Sequence, residues 1–158
     1  MRERAVAWLT WTVGGSALAF SISAMFLVEL NGGNVGSAYA TVPLMWAISF
    51  SAVGVVIVSR RTGNPIGWIF LIAGFFHGLN AFSAEYPTYA LLTNPGPWPG
   101  GAFFSWLFTW VFAPGFAAFP LILLLFPTGR PPSARWRLVL WLIAVGLALI
   151  AVPTAVTT

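Results

Sequence analysis

Long apolar runs alternate along this chain with short polar connections. The runs extend from about Ala5 to Glu29, Thr41 to Ser59, Pro65 to Tyr89, Gly101 to Phe126 and Trp136 to Pro153. Each is close to the about 20 helical residues needed to cross a hydrocarbon core about 30 Å thick. A span of this kind must satisfy its backbone hydrogen bonds internally, because lipid offers no donor or acceptor, so helices are expected rather than open strands. The pattern predicts an all-α fold in which residues 1–158 form a single transmembrane domain. It is a polytopic membrane helix bundle with five transmembrane helices at about 5–29, 41–59, 65–89, 101–126 and 136–153.

Local signals refine those boundaries. Asn64 followed by Pro65 marks a helix start, since proline is tolerated in a first turn where its missing N–H has no partner anyway. Pro114 and Pro120 fall inside the fourth run, where each removes a backbone hydrogen bond and is expected to bend the helix. The first run follows Arg2 and Arg4, and Ala38-Tyr39-Ala40 resembles a signal-peptidase site. A secretory h-region is only about 7–15 residues long, so a retained helix is the better reading.

Charge orients the bundle. All seven basic residues are arginines in three clusters, Arg2 and Arg4, Arg60 and Arg61, and Arg130, Arg135 and Arg137. More than one span separates successive clusters, so every cluster reaches the same face. Basic short loops stay cytoplasmic, which puts the amino terminus inside. The outer connections, about Asn31 to Ala40 and Leu91 to Gly100, carry no basic residue and are rich in Gly, Asn and Pro. Tyr39, Tyr86 and Tyr89 fall near the outer boundary, and Trp8, Trp68 and Trp136 near the inner one. An odd number of spans leaves the carboxyl terminus outside. Either the chain ends there, or a further helix of a larger membrane domain returns to the cytoplasm.

The formal charge of +4 points to a membrane surface rather than nucleic acid, because the arginines sit in narrow juxtamembrane patches. The chain has no Cys, Lys or Asp, which removes disulfides, thiolate metal sites, Schiff-base cofactors and a Ser-His-Asp triad. No catalytic residue, metal site or cofactor is assigned.

The third run holds the most polar interior sequence. Gly74, His77, Gly78, Ala81 and Glu85 share one helical face at 100° per residue. Gly74, Gly78 and Ala81 are expected to let a neighbouring helix approach closely. His77 falls about halfway across the core. A satisfied structural histidine is the expectation there, with ligation of a pigment or metal and a proton or signal switch as alternatives. His77, Asn80, Glu85, Tyr86 and Tyr89 are the candidate ligand-binding residues. Glu29, Asn31, Asn34 and Tyr39 complete a polar, aromatic outer mouth, for which ordinary interfacial anchoring is the plainer reading.

Several motifs occur in a definite order: Arg60-Arg61-Thr62-Gly63-Asn64-Pro65-Ile66-Gly67-Trp68, Glu85-Tyr86, Tyr89-Ala90-Leu91, Pro95-Gly96-Pro97-Trp98-Pro99-Gly100, and Phe126-Pro127-Thr128-Gly129-Arg130-Pro131-Pro132-Ser133 before Arg135-Trp136. Over about residues 41–150 this resembles the amino-terminal multi-helix membrane region of bacterial, particularly actinobacterial-type, sensor histidine kinases. Thr128 stands where that family commonly has Asp. The resemblance implies a membrane sensory or input module in a two-component system. Its expected partners are the lipid bilayer and either a second copy of the chain, as a homodimer, or a cytoplasmic kinase. No phosphoacceptor helix or ATP-binding box is found in residues 1–158. A structural or assembly subunit of a larger membrane complex, holding pigment or lipid against the Gly74 to Glu85 stripe, is the alternative, and a small transporter ranks last.

Overall fold

With no water to satisfy an open backbone, these apolar runs have one local solution. A computed structural model describes residues 2–33, 38–131, 133 and 135–156, and no described residue lies in a strand. Asn34 and Pro132 lie outside the described residues, as do the side chains of Arg2 and Tyr39. The helices are α1 (Arg2–Leu30), α2 (Ala38–Arg60), α3 (Pro65–Thr88), α4 (Gly101–Leu125) and α5 (Trp136–Val156).

The ends are built by recognisable caps. Gly32 at φ 72° ends α1 in a Schellman motif: the Gly33 N–H donates to the Val28 carbonyl at 2.8 Å, and the Gly32 N–H to that of Glu29 at 3.0 Å. Asn64 caps α3, its side-chain oxygen accepting from the Ile66 N–H at 3.0 Å, with Pro65 in the first turn. The α4 helix runs through both Pro114 and Pro120.

One boundary needs correction. The third run was expected to stop at Tyr89, but its helix continues as a π-helical turn over Tyr89–Thr93, closed by the Asn94 N–H donating to the Tyr89 carbonyl at 2.9 Å. Pro87 lies just before it and has no N–H to give, so the ladder is interrupted where the wider turn begins. Four to five of the helices are apolar and long enough to cross a membrane: among the described residues α1 to α4 meet that length outright. In α5 the apolar stretch Trp136–Val152 is shorter, at the low end of the spanning range.

Helix α3 is the axis of the bundle. It packs against α1, α2 and α4, whereas α5 touches only α4 among the described elements. The helices run up and down. Val6, Ala7 and Thr10 of α1 share a cleft with Arg60, Arg61 and Gly63, and Gly129 presses on Pro65, so the three arginine clusters gather at one end. Asn31, Glu85 and Thr93 meet at the opposite end.

The seams are made from small residues. The inward series on α1 is Thr10, Gly14, Ala17, Ser21, Ala24 and Val28, with Leu27 buried beside its last member, and that on α2 is Ala47, Ser51, Gly54 and Val58. Both sets alternate steps of four and three, the 3.5-residue repeat of helices that pack side by side. Buried hydroxyls of α1 are satisfied within the helix: Thr10 Oγ1 donates to the Val6 carbonyl and Ser21 Oγ to that of Ala17, each at 2.8 Å. Outward, large apolar side chains stand free, including Trp8 (74% exposed), Trp141 (70%) and Leu123 (81%). An apolar surface of that extent matches lipid as solvent and not water.

A methyl group built on Gly74 would run into Ser51 Oγ and come within 2.7 Å of the Ser51 backbone nitrogen. Gly74→Val is therefore expected to destabilise the bundle by about 3 kcal/mol. Gly63→Ala, whose new methyl group meets nothing within 4 Å, should stay within about 0.5 kcal/mol of wild type. Unfolding in detergent or bicelles measures both.

Candidate functional site

Because α3 is enclosed on three sides, its polar residues do not form one stripe against one neighbour. Gly74 lies against Ala47 and Ser51 of α2, whereas Gly78 lies against Ala17 and Ser21 of α1. Ala81 is buried and lines a cavity one turn further on. The five candidate ligand residues fall into three distinct surroundings.

His77 is 2% exposed and sits in an aromatic box. Its ring lies 5.0 Å from that of Trp46, 5.7 Å from Phe50, 5.8 Å from Phe116 and 6.2 Å from Phe119, mostly edge to face. Such geometry sets the positive ring edge against a negative π-face. Gly115 completes the box from α4, since a methyl group there would come within 3.0 Å of His77 Cε1. The Nε2 atom has no hydrogen-bond partner among the described residues. The imidazole is thus held by shape and by aromatic faces, with no nucleophile or carboxylate bonded to that nitrogen.

Asn80 and Glu85 line a different space, a cavity of about 170 Å³ between α1, α2, α3 and α4. Ala24 and Val28 form one wall, Pro43 and Phe108 the others. At about 30 Å³ per water molecule in the liquid, it has room for roughly five waters or one small polar molecule. Asn80 lines this cavity, and its Oδ1 is buried without a hydrogen-bond partner among the described residues.

Above the cavity, the connections at this end of the bundle are tied together. Asn31 Nδ2 donates to Glu85 Oε2 at 3.0 Å and to the Glu85 backbone carbonyl at 3.1 Å. Thr93 Oγ1 donates to Asn31 Oδ1 at 2.9 Å, which fastens the π-helical turn to the end of α1. Tyr86 stacks on Phe82 at 5.1 Å, and its hydroxyl donates to the Pro99 carbonyl at 2.7 Å. Tyr89 meets the edge of Trp98 at 5.5 Å, and Asn94 Nδ2 donates to its hydroxyl at 3.2 Å. Tyr86 and Tyr89 therefore serve as walls and ties of the vestibule, while Asn80 and Glu85 face its interior.

Thr93 and Phe104 belong to this vestibule without being singled out by the sequence, and Trp98 was marked only as part of the Pro95–Gly100 loop motif. The aromatic runs carried a signal, because Phe82, Tyr86 and Phe104 converge once α3 and α4 are antiparallel. The Asn31–Glu85 pair joins residues 54 apart in sequence and had no local signature.

The chain matches no protein-family model, no curated protein and no solved structure.

A double-mutant cycle on Asn31→Ala and Glu85→Ala should return a coupling of about 1 kcal/mol, the size of one partly exposed hydrogen bond to a carboxylate. A coupling below about 0.3 kcal/mol would mean that the two side chains do not act together.

Proposed function

We propose that the chain is a membrane-embedded sensory input module of the kind that precedes a cytoplasmic histidine kinase in a two-component system. In this reading five helices span a bacterial inner membrane, with the amino terminus and the three arginine clusters in the cytoplasm. The observation that carries it is the two-ended construction of α3. One end forms the vestibule with Asn80 and Glu85, and the other is clasped to the following inner loop, where Gly129 at φ 74° lies against Pro65.

The clasp is stereochemically specific. A methyl group on Gly129 would stand 2.5 Å from Pro65 Cγ and would also force a side chain into the left-handed region. Trp68 Nε1 donates to the Thr62 carbonyl at 2.9 Å and fixes the turn before α3 from the other side. A rigid rod joined to a fixed turn passes small displacements along its length, because packed interfaces shift between discrete arrangements and do not deform smoothly. Occupation of the vestibule would thus be felt at the arginine-rich end, where a kinase partner in the same or another chain would read it.

A second reading is a structural or assembly subunit of a larger membrane complex. The exposed apolar faces of α5 favour it, since none of the described residues of that helix is buried.

The two readings differ in coupling between the ends. Spin labels on cysteines placed at Ser59 and Ser133, both exposed at the arginine-rich end, report its geometry in lipid vesicles. Glu85→Ala at the far end should move the Ser59–Ser133 distance distribution by about 1–2 Å, the size of an ordinary helix shift. An unchanged distribution would remove the main support for an input module and leave the structural reading.

A further inference from the structure

The arginine-rich end contains a second concave feature, on the opposite side of the bundle's length from the vestibule. Between the start of α1 and the α2–α3 turn lies a cleft of about 530 Å³ with Arg60, Arg61, Thr62 and Gly63 on one side and Val6 and Thr10 on the other. Neither arginine takes part in an ion pair or side-chain hydrogen bond among the described residues. Two arginines without a side-chain partner among the described residues therefore line a cleft roomy enough for a phosphate group.

Trp11 lines this cleft and also a second groove of about 300 Å³ that lies further along the α1–α2 seam. The groove is apolar almost throughout, walled by Gly14, Gly15 and Leu18 on one helix and Ile48, Ala52 and Val55 on the other. From Arg60 to Ile48 is twelve residues along α2, about 18 Å at 1.5 Å per residue. One leaflet of the hydrocarbon core is about 15 Å deep. A basic head and an apolar groove beside it, together about one leaflet long, have the outline of one lipid molecule.

We propose that this cleft and the neighbouring groove together form a binding site for an anionic glycerophospholipid of the leaflet at the arginine-rich end. The phosphate lies on Arg60 and Arg61, and one acyl chain runs past Trp11 into the seam over Gly15. Charge complementarity selects the head, because basic pockets between helices attract anionic headgroups more strongly than zwitterionic ones. Gly15 makes the channel: it is exposed, and a methyl group built on it meets nothing within 4 Å, so the space beside it belongs to the groove and not to protein packing. Free phosphate shares the head chemistry but leaves the groove unused, which distinguishes the two sources.

Native mass spectrometry of the full chain released from nanodiscs tests the site with phosphatidylglycerol, phosphatidylcholine and inorganic phosphate as probes. Wild type should retain one phosphatidylglycerol in preference to phosphatidylcholine. Arg60→Ala with Arg61→Ala should reduce that retention about thirtyfold, roughly fivefold for each guanidinium lost near an anionic headgroup. Arg135→Ala with Arg137→Ala removes the same charge outside the cleft and should leave it unchanged. Gly15→Leu, which improves helix propensity while filling the groove, should lower lipid retention about tenfold and leave any binding of inorganic phosphate as it was. Equal retention of the two lipids would overturn the proposal, as would retention indifferent to Arg60 and Arg61. Full competition by inorganic phosphate together with an unaffected Gly15→Leu variant would overturn the acyl-chain half and reduce the site to a phosphate pocket.

Discussion

Close backbone approach around α3 is the constraint from which the rest of this bundle follows. Lipid tails are as apolar as the helix surfaces, so burying leucine between two helices gains little over leaving it in lipid. What remains is shape: dispersion contacts are gained only where helices come near enough to interlock. Gly54 against the backbone of Leu71, Gly67 against Ile57 and Val58, Gly74 against Ser51 and Gly78 against Ala17 are the points where this occurs. At each, one added methyl group would collide with a neighbour, so these contacts define the distance between helices and the register along them.

Register then determines chemistry. Once α3 is fixed against α1 and α2, His77 is forced into the box of Trp46, Phe50, Phe116 and Phe119, and Asn80 and Glu85 are carried to the cavity one and two turns beyond. The same register brings Asn31 to Glu85 at one end and Pro65 to Gly129 at the other. The polar features of this protein are thus not scattered substitutions in an apolar background. They sit where the packing of one helix puts them, at mid-depth, at one mouth and at the arginine-rich end.

Much of this is written in the amino-acid pattern. Run length identified the helices to within a few residues at most boundaries, since apolar length and caps such as Asn64-Pro65 are local properties. The π-helical turn at Tyr89–Thr93 was not foreseen, because it depends on how the chain leaves Pro87 and on the Thr93 hydroxyl finding Asn31 of another helix. The small-residue stripe of α3 was visible, but the matching 3.5-residue series on α1 and α2 went unread, being hidden among serines and threonines that look like ordinary polar interruptions. The division of His77 from Asn80 and Glu85 also escaped the sequence. Helical spacing gives angle about one axis, whereas the surroundings of a central helix depend on three neighbours at once. The α1–α2 cleft required both Arg60-Arg61 and the open side of Gly15, and nothing in sequence links positions 15 and 60.

Every functional statement about the two ends depends on their lying on opposite sides of one membrane, with all three arginine clusters together. The chain has no cysteine, so single cysteines can be read without background. Thr62, Thr128 and Gly96, each exposed, are replaced one at a time, and intact cells are treated with a membrane-impermeant maleimide before and after permeabilisation. The topology proposed here gives labelling at position 96 in intact cells, and at positions 62 and 128 only after permeabilisation. Labelling that places 62 and 128 on opposite sides would contradict it.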